Sequence, residues 1–374
     1  MRFETFDGVA SFDRTVWNSM AVGASPMMEW EYFYCLEQSG AASAQRGYQP
    51  RHLALMVGDE PVAVAPLFVR DRAWVEFGDG GLLELLSEST GYPFHRGIVG
   101  TIPFTPVPGY QFLQRPDIDP GLTCRALLNQ IDVLCEEHRY LTSRLYFVAP
   151  AAHQLHALAH ERGYICLRSG HFLWTNEGYG NFENFLGTFK SSRRTKIRRE
   201  LRALQRQGID IKMQPGISVP DSYYGDIYGF YLNTWEKHMG PHLQPFLNAE
   251  FFRLLGREFR HRTNFCVASR ERQNIAMAIF YEKNAALYGR YWGALEEVPF
   301  LHFATCYYHP IRYAIERRLT TMDPGFGGEH KLYRGFQIIP CYHYIKFYGP
   351  TERRIAYSII NKIQTHAAKG KKDF

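Results

Sequence analysis

The sequence lacks several features that would assign it to a special class of protein. It has no uninterrupted run of about 20 apolar residues, so we expect no membrane-spanning helix. Its N-terminus carries Glu4 and Asp7, where a secretory signal needs a cation followed by an apolar stretch. No segment is of low complexity, and 45% of the 374 residues are hydrophobic, which predicts a chain folded nearly throughout. These observations predict a soluble, cytoplasmic protein.

Cysteine is scarce, and no two cysteines have the Cys-x-x-Cys spacing. The chain has 7 cysteines, an odd number, so we expect reduced thiols rather than a disulfide framework. His238 and His242 are close in sequence, but Gly240 and Pro241 between them would interrupt the helix that a two-histidine metal site needs. The sequence therefore predicts no metal site and no tightly bound cofactor.

The positive charge is small in total but concentrated in one segment. The chain has 43 Lys and Arg against 37 Asp and Glu, a net charge of +6. Residues 190–206 contain eight basic residues and one acid, Glu200. Ile197, Leu201 and Leu204 recur at helical spacing, which predicts a helix that packs along one stripe and surrounds it with cations. Gly208 would end that helix.

A bound polyanion would relieve the repulsion between the cations of this basic helix. Arginines outnumber lysines six to two in residues 190–206, which favours planar recognition of phosphate. Ser191 and Ser192 can cap the N-terminus of the helix, where backbone N–H groups also favour an anion. The alternative is a solvated charged face. The candidates for binding a donor phosphate or tRNA are Arg193, Arg194, Lys196, Arg198, Arg199 and Arg202.

Residues 323–336 form a glycine-rich loop that gathers ionisable side chains between two predicted strands. His330 has a pKa near neutrality and is the best candidate for a general base or acid, with Glu329 placed to orient it. Lys331 and Arg334 would supply positive charge to a bound anion. Three glycines that precede these residues, Gly325, Gly327 and Gly328, allow backbone N–H groups to approach an oxyanion or a phosphate. We predict Glu329, His330 and Lys331 as catalytic residues; the alternative is a structural turn whose ionic residues pair with each other.

Other candidates flank this glycine-rich loop. Arg290 lies in a predicted aromatic strand and is a half-buried cation that needs a partner. His302 and Cys306 are one helical turn apart, the spacing of a nucleophile pair, but cysteines on apolar helix faces are usually core residues. His343 could face the same cleft or be a hydrogen-bonded core histidine. The predicted substrate-binding residues are Arg290, Tyr291, Trp292, His302, Arg334 and His343.

The periodicity predicts most elements of secondary structure. Residues 12–39 read as two helices, and apolar runs at 52–57 and 62–69 read as a hairpin around Gly58. Residues 125–138 predict an amphipathic helix with a buried stripe, and residues 301–319 predict one continuous helix. Residues 72–91 have no clear pattern. The stripe expected to be buried in the helix 125–138 consists of Leu128, Ile131, Val133, Leu134 and Cys135.

The order of elements in the second half is typical of a GNAT-type acyltransferase domain: helices, three consecutive strands, a helix and two further strands. The first half has a similar mixture of helices and strands. We therefore predict an α/β (α+β) fold with two tandem GNAT-like domains, each with a mixed central sheet flanked by helices. The expected division is a degenerate N-terminal domain at 1–170, a catalytic domain at 171–350, and a C-terminal helix with a basic tail at 351–374.

Several segments resemble a widespread bacterial family of predicted N-acyltransferases, labelled peptidoglycan biosynthesis or recognition proteins. That family belongs to the GNAT superfamily and is similar to the Fem-type aminoacyl-tRNA-dependent ligases. The matching segments are LEQSG at 36–40, RHL at 51–53, IPFTPV at 102–107, SSRRTKIRRE at 191–200, LYGRYWG at 287–293, LHF at 301–303, CYY at 306–308, GEHK at 328–331 and RGF at 334–336.

The resemblance implies an N-acyltransferase that forms an amide bond. GNAT enzymes that use acetyl-CoA have an Arg/Gln-x-x-Gly-x-Gly/Ala turn for the pyrophosphate, and this sequence contains no clean example. Fem-like enzymes have a lysine- and phenylalanine-containing segment after the fifth strand of the second domain, which residues 331–336 resemble in placement. This favours an aminoacyl-tRNA donor and, as acceptor, an amine of a small metabolite or cell-wall precursor. An acyl-CoA donor and a non-catalytic binding protein are the alternatives, and we expect a monomer or homodimer.

The sequence departs from the family pattern at three positions. The family has Glu where this chain has Ala304, and Gln where it has Gly327. It also favours Ser where this chain has Cys341, two residues before His343. The loss of a carboxylate and an amide beside the glycine-rich loop predicts an altered substrate.

Overall fold

The structure, a computed structural model, describes residues 1–71, 77–240 and 242–370, with side chains up to residue 362. Part of the unpatterned region, residues 72–76, therefore lies outside the described residues, as do Pro241 and the end of the predicted basic tail, residues 371–374. Within the described part, no helix has both the length and the apolar character needed to cross a membrane.

Strands and helices are mixed along the whole chain. The strands are β1 (Arg2–Phe6), β2 (Gln49–Pro50), β3 (His52–Val57), β4 (Glu60–Ala65), β5 (Leu67–Arg70), β6 (Gly97–Gly100), β7 (Leu113–Gln114), β8 (Thr142–Val148), β9 (Ile165–Thr175), β10 (Asp210–Pro215), β11 (Thr263–Arg270), β12 (Gln273–Lys283), β13 (Ala286–Ala294), β14 (Thr321–Asp323) and β15 (Gln337–Phe347). The helices are α1 (Arg14–Met20), α2 (Trp30–Gln38), α3 (Leu82–Thr90), α4 (Pro120–Glu137), α5 (His153–Glu161), α6 (Phe182–Gly187), α7 (Ser191–Arg206), α8 (Ser222–Met239), α9 (Ala249–Leu254), α10 (Leu301–Phe303), α11 (His309–Glu316) and α12 (Pro350–Gly370).

The chain divides into two compact units, neither of which is one continuous stretch. The first unit contains residues 1–24, 42–169 and 341–374, and the second contains residues 25–41 and 170–340. The chain passes from the first unit to the second between residues 169 and 170, and returns to the first between residues 340 and 341. Segment 25–41 belongs to the second unit although it lies early in the chain, and segment 341–374 belongs to the first unit although it lies at the end. Segment 25–41 contains α2, and the ring of Tyr32 in this helix lies 5.8 Å from the ring of Phe251 in the second unit.

The first unit is built around two groups of strands. An antiparallel sheet has the order β1-β3-β4-β7, and a second group has the order β2-β5-β6-β8, in which β6 and β8 are parallel. The hairpin predicted around Gly58 is confirmed by β3 and β4. The single strand predicted at 62–69 is wrong, because β4 and β5 are separated by Pro66 and enter different sheets. Proline has no N–H for a ladder hydrogen bond, so it marks the division.

Helix α4 confirms the amphipathic helix predicted at 125–138 and begins five residues earlier. Ile131 and Cys135 are fully buried, as expected. Val133 is 40% exposed, so its place in the buried stripe was wrong. Two residues along an α-helix correspond to a rotation of about 200°, which turns Val133 away from the face of Ile131.

The second unit has a mixed sheet that opens at one position. Strands β10, β11, β12 and β13 are antiparallel, β14 is parallel to β13, and β9 follows β14. Strand β13 pairs with β12 as far as Ala294, whereas its pairing with β14 covers only Ala286 to Tyr288. Between the pairs Ala278–Trp292 and Phe280–Gly289, β13 has one residue more than β12, so β13 has a bulge just beyond its pairing with β14. Beyond Tyr288 the two parallel strands separate, which leaves room between them.

Helices cover this sheet as the sequence predicted, with two differences in detail. Ile197 and Leu204 of α7 are buried in the core, and this confirms the predicted stripe. The capping prediction is wrong: Lys190 occupies the N-cap position without a side-chain hydrogen bond, and Ser191 begins the helix. The helix expected at 301–319 is interrupted, because a π-helical turn at Ala304–Tyr308 joins α10 to α11.

Candidate active site

The glycine-rich loop at 323–336 begins at a buried carboxylate. Asp323 ends β14, and one of its oxygens lies 2.7 Å from Nε2 of His171 on β9. Its other oxygen accepts a hydrogen bond from the backbone N–H of Gly325 at 2.8 Å. Both side chains are almost completely buried. The first turn of the loop is therefore held by a buried hydrogen-bonded pair, which removes much of its freedom.

Lys331 holds the same loop from the inside. Its ammonium group donates to the backbone carbonyls of Gly325 at 2.8 Å, Phe326 at 3.1 Å and Gly327. The side chain is 1% exposed, and burial lowers the pKa of Lys331 to about 8 while the charge of Asp323 opposes that shift. Three carbonyls from consecutive residues share one cation, so the glycine-rich loop is folded around Lys331.

A short 3-10 helix, Glu329–Arg334, carries the other ionisable residues of the loop. Side chains three residues apart share a face of a 3-10 helix, and Lys331 and Arg334 form the buried face. Glu329 is exposed and His330 is half-buried. Gly328 precedes the helix with a φ of +81°, and a Cβ atom there would lie 2.3 Å from the His330 ring. Glycine at 328 is thus required for the position of His330.

Arg334 connects the loop to the basic helix α7. Its guanidinium donates to the His330 carbonyl at 2.8 Å and lies 3.4 Å from the centroid of the Phe303 ring. It also forms an ion pair with Glu200 at 3.9 Å. Tyr308 donates to the same carboxylate at 2.7 Å. The one acid of α7 is therefore buried against the loop, and it does not neutralise the cations of its own helix.

His330 has the environment of a proton acceptor. Its Nε2 atom lies 3.0 Å from the Tyr307 hydroxyl, and its ring centroid is 5.9 Å from that of His302. Burial and the charges of Arg334 and Lys331 lower the pKa of His330 below its usual value. The ring is therefore neutral at pH 7, which is the form that can accept a proton.

Neighbouring side chains extend the site along β13 and α10. The His302 ring lies 4.9 Å from the Trp292 ring, and burial, followed by the charge of His330, lowers the pKa of His302 to about 3. Burial raises the pKa of the Cys306 thiol far above its usual value, so its thiolate is disfavoured. Arg290 has its guanidinium 5.2 Å from the Tyr291 ring.

Two cavities meet at these residues. The smaller, of about 360 Å³, extends along the glycine-rich loop and β13, and the larger, of about 810 Å³, extends towards α8. They share Thr234, Trp292, His302 and His330. The smaller cavity lies where β13 continues beyond its pairing with β14. Together they offer space for two reactants on either side of His330.

The structure brings together most of the candidates for catalysis and substrate binding. Those that line the cavities are Arg290, Tyr291, Trp292, His302, His330 and Lys331. Arg334 supports the loop from its buried face, and Glu329 is exposed to solvent. His343 is not brought to them: it lies in the first unit, where Nδ1 accepts the N–H of Phe147 at 3.2 Å and Nε2 lies 3.0 Å from Ser169.

Two residues of the site could not be found from sequence patterns. Tyr307 contacts His330 only because the π-helical turn rotates it to that side, and no periodicity indicates such a turn. His171 reaches Asp323 from β9, and their separation in sequence conceals the pair. The loop signal itself was present, since Asp323 opens the glycine-rich segment.

Helix α7 presents most of its cations without acidic partners. Arg198 pairs with Glu183 at 2.5 Å, and Arg193 lies 4.6 Å from the Tyr333 ring centroid. Within residues 1–71, 77–240 and 242–370, no ion pair satisfies the remaining candidates for binding a donor phosphate. These unsatisfied cations are Arg194, Lys196, Arg199 and Arg202.

Solved structures share this fold at low sequence identity. The C-terminal domain of a putative lysylphosphatidylglycerol synthetase from Agrobacterium fabrum matches with a TM-score of 0.55 and 11% identity over 95% of this chain and 96% of that one. FemX matches with a TM-score of 0.54 and 10% identity over 96% and 99%. A conserved protein of unknown function from Bacteroides thetaiotaomicron matches with a TM-score of 0.53 and 9% identity over 92% and 99%. These likenesses confirm the predicted fold class, a mixed α/β architecture with a central mixed sheet flanked by helices.

Sequence comparison gives the family. No functionally curated protein matches the sequence significantly. A family model described as peptidoglycan biosynthesis/recognition does match, over residues 8–373. That match covers nearly the whole chain, and the chain therefore belongs to the FemAB-like family.

Proposed function

We propose that this protein is an N-acyltransferase that forms an amide bond, with an aminoacyl-tRNA as donor and an amine of a small metabolite or cell-wall precursor as acceptor. Membership of the FemAB-like family supports a transferase. The observation that carries the proposal is the buried contact of Arg334 with Glu200. It joins the loop that bears His330 to the helix whose cations suit a polyanionic donor.

The reaction needs an amine held against an activated ester. The amine nitrogen attacks the ester carbonyl, the new C–N bond forms, and the C–O bond to the ribose breaks. The amine gives up a proton, which His330 accepts and passes to the leaving ribose oxygen. A neutral His330 is suited to this role because its pKa is lowered. The hydrogen bond to Tyr307 orients the ring.

Charge in the smaller cavity supports the transition state. The attack places negative charge on the carbonyl oxygen, and preorganised cations or N–H donors stabilise it. Arg290 lines this cavity and supplies a fixed positive charge. We assign Lys331 to shaping the loop, because its ammonium donates to three backbone carbonyls. Glu329 is exposed, and we give it no part in this step.

The segment between β13 and α10 argues against acyl-CoA as donor. A GNAT-type pyrophosphate site needs glycines and free N–H groups before this helix, but residues 295–300 contain no glycine. They contain Glu296 and Glu297, which pair with Arg270 and Lys237. A diphosphate placed there would meet two carboxylates and compete for their cations. This observation favours the RNA donor over the CoA donor.

The deciding experiment is a binding titration with aminoacylated tRNA at low and moderate salt, with CoA as parallel ligand. Binding of tRNA should weaken steeply with salt, with a slope of about 0.7–0.9 for each phosphate contact. CoA should leave the melting temperature unchanged, because a ligand that does not bind the folded state cannot stabilise it. A second titration with deacylated tRNA measures the share contributed by the aminoacyl group.

Three outcomes separate the candidate functions. Salt-dependent tRNA binding without a CoA effect supports the proposal, and the amine acceptor is then sought with the loaded tRNA. An increase in melting temperature with CoA, together with no binding of tRNA, would establish the acyl-CoA alternative. A protein that binds an amine ligand but never consumes a donor, in wild type and in His330→Ala alike, would be a binding protein.

A further inference from the structure

The 3-10 helix exposes an aromatic side chain that the transfer chemistry does not use. Tyr333 is 56% exposed, although its neighbours Lys331 and Arg334 are buried. Side chains three residues apart lie on one face of a 3-10 helix, so Tyr333 shares a face with His330. The distance between them along the helix is one turn, about 6 Å. An exposed tyrosine thus stands directly beside the cavity residues.

The surrounding contacts hold Tyr333 in this exposed position. Gly335 ends the helix with a φ of +87°, and a Cβ atom there would lie 2.7 Å from the Phe185 ring. Phe336 is buried, with its ring 5.3 Å from that of Tyr307. With Arg334 fixed against Phe303, the helix has no room to turn Tyr333 inward. The exposure is imposed by the fold.

A cation of the basic helix accompanies the tyrosine. The guanidinium of Arg193, in the first turn of α7, lies 4.6 Å from the centroid of the Tyr333 ring. Proteins bind single-stranded nucleic acid by pairing aromatic faces, on which bases stack, with nearby cations that follow the phosphates. Helix α7 contains no aromatic residue of its own. The loop supplies the missing aromatic from outside the helix.

We propose that Tyr333, with Arg193 beside it, is a stacking platform for an unpaired base at the 3′ end of the donor RNA. This inference rests on the proposed function, since it requires RNA as the donor. Tyr333 lies one helical turn, about 6 Å along the axis, from His330, so we expect the ester on the ribose of a base stacked on Tyr333 to reach the cavity. The platform therefore recognises a single-stranded end and rejects a blunt duplex.

The test uses the full chain and an RNA hairpin with an unpaired 3′ overhang that ends in 2-aminopurine, whose fluorescence is quenched by stacking. A blunt-ended hairpin of the same stem is the control ligand. Tyr333→Ala should raise the Kd of the overhang RNA on the order of 5- to 150-fold, remove the quenching, and leave the salt slope unchanged. Tyr333→Phe should retain both affinity and quenching. Leu332→Ala, a change at the exposed adjacent residue, should bind as the wild type does.

Each contrary outcome overturns a different part of the inference. If Tyr333→Ala binds the overhang RNA and quenches it as the wild type does, the platform is wrong while RNA remains the donor. If the wild type binds neither hairpin at low salt, the RNA donor fails and the platform with it. If Tyr333→Ala changes sedimentation rather than RNA affinity, the surface is a contact between copies of this chain. Melting temperatures of all variants verify that they are folded.

Discussion

His330 in the second unit and His343 in the first are both candidate site residues by sequence, yet the structure gives their rings different hydrogen bonds and surroundings. Both are histidines close to aromatic residues near the end of the chain. His343 is buried and uses both ring nitrogens in hydrogen bonds. His330 is half-buried, has one nitrogen at Tyr307, and lines two cavities. The difference shows that a histidine can act on a substrate only if its second ring nitrogen is not used in a hydrogen bond within the protein and a cavity lies beside the ring.

Replacing each histidine should give opposite results. His330→Ala should lower the transfer rate by a factor of about 10²–10⁴, the usual contribution of a general base, and should leave donor binding intact. His343→Ala should lower the free energy of unfolding by about 1–3 kcal/mol, because the Phe147 N–H loses its acceptor. Single-turnover rates and urea unfolding of both variants measure the contrast. Equal rates in His330→Ala and wild type would show that His330 is not the base and that the substrate amine loses its proton without it.

The basic helix can be separated from the catalytic loop by its effect on the donor. Arg193, Arg194 and Arg199 replaced together by Ala should raise the KM for the donor and reduce the magnitude of the salt slope by about 0.7–0.9 for each phosphate that is no longer bound. The value of kcat should change much less. The control is the double variant Arg353→Ala with Arg354→Ala on α12, where both side chains are exposed. Identical donor affinity in the triple variant and the control would mean that the cations of α7 are only a solvated surface.

Lys331 should behave as a structural residue, unlike His330. Lys331→Met removes the buried donor that holds three backbone carbonyls of the loop, so we expect a loss of about 1–3 kcal/mol in the free energy of unfolding. Lys212→Met on β10, where the side chain is exposed, should change it by less than about 0.5 kcal/mol. Denaturant titrations compare the two. An unfolding curve of Lys331→Met that superimposes on the wild type would show that the loop keeps its shape without the cation.

The smallest expected effect is a displacement of the acid limb of the pH–rate profile. The proton-accepting form of His330 persists below its usual pKa, because burial and two cations lower that pKa. Log kcat/KM should therefore stay level as pH falls through about 6.5 and decline only at lower pH. His330→Gln should remove this limb. A wild-type profile that declines from above about pH 7 would assign the titration to another group.

The sequence predicted those features that depend on local pattern. The stripe of Ile197 and Leu204, the hairpin at Gly58 and the loop between two strands follow from periodicity and turn chemistry. It did not predict the partner of Glu200, because an acid among eight cations indicates nothing about a buried arginine 134 positions later. Nor could it place α2 in the second unit, since that depends on aromatic contacts distant in sequence.

The π-helical turn at Ala304–Tyr308 positions a site residue through its backbone conformation. His302 and Tyr307 are five residues apart, and their rings lie 5.3 Å from each other with His330 beside both. In a regular α-helix each residue adds about 100° of rotation, so five residues correspond to about 140° past a full turn. Without the π-helical turn, the same residues would therefore place Tyr307 away from His302 and His330. Every side-chain type could be kept and the helix would still form. The backbone between β13 and α11 thus positions Tyr307, and replacing single side chains in this segment would not detect that contribution.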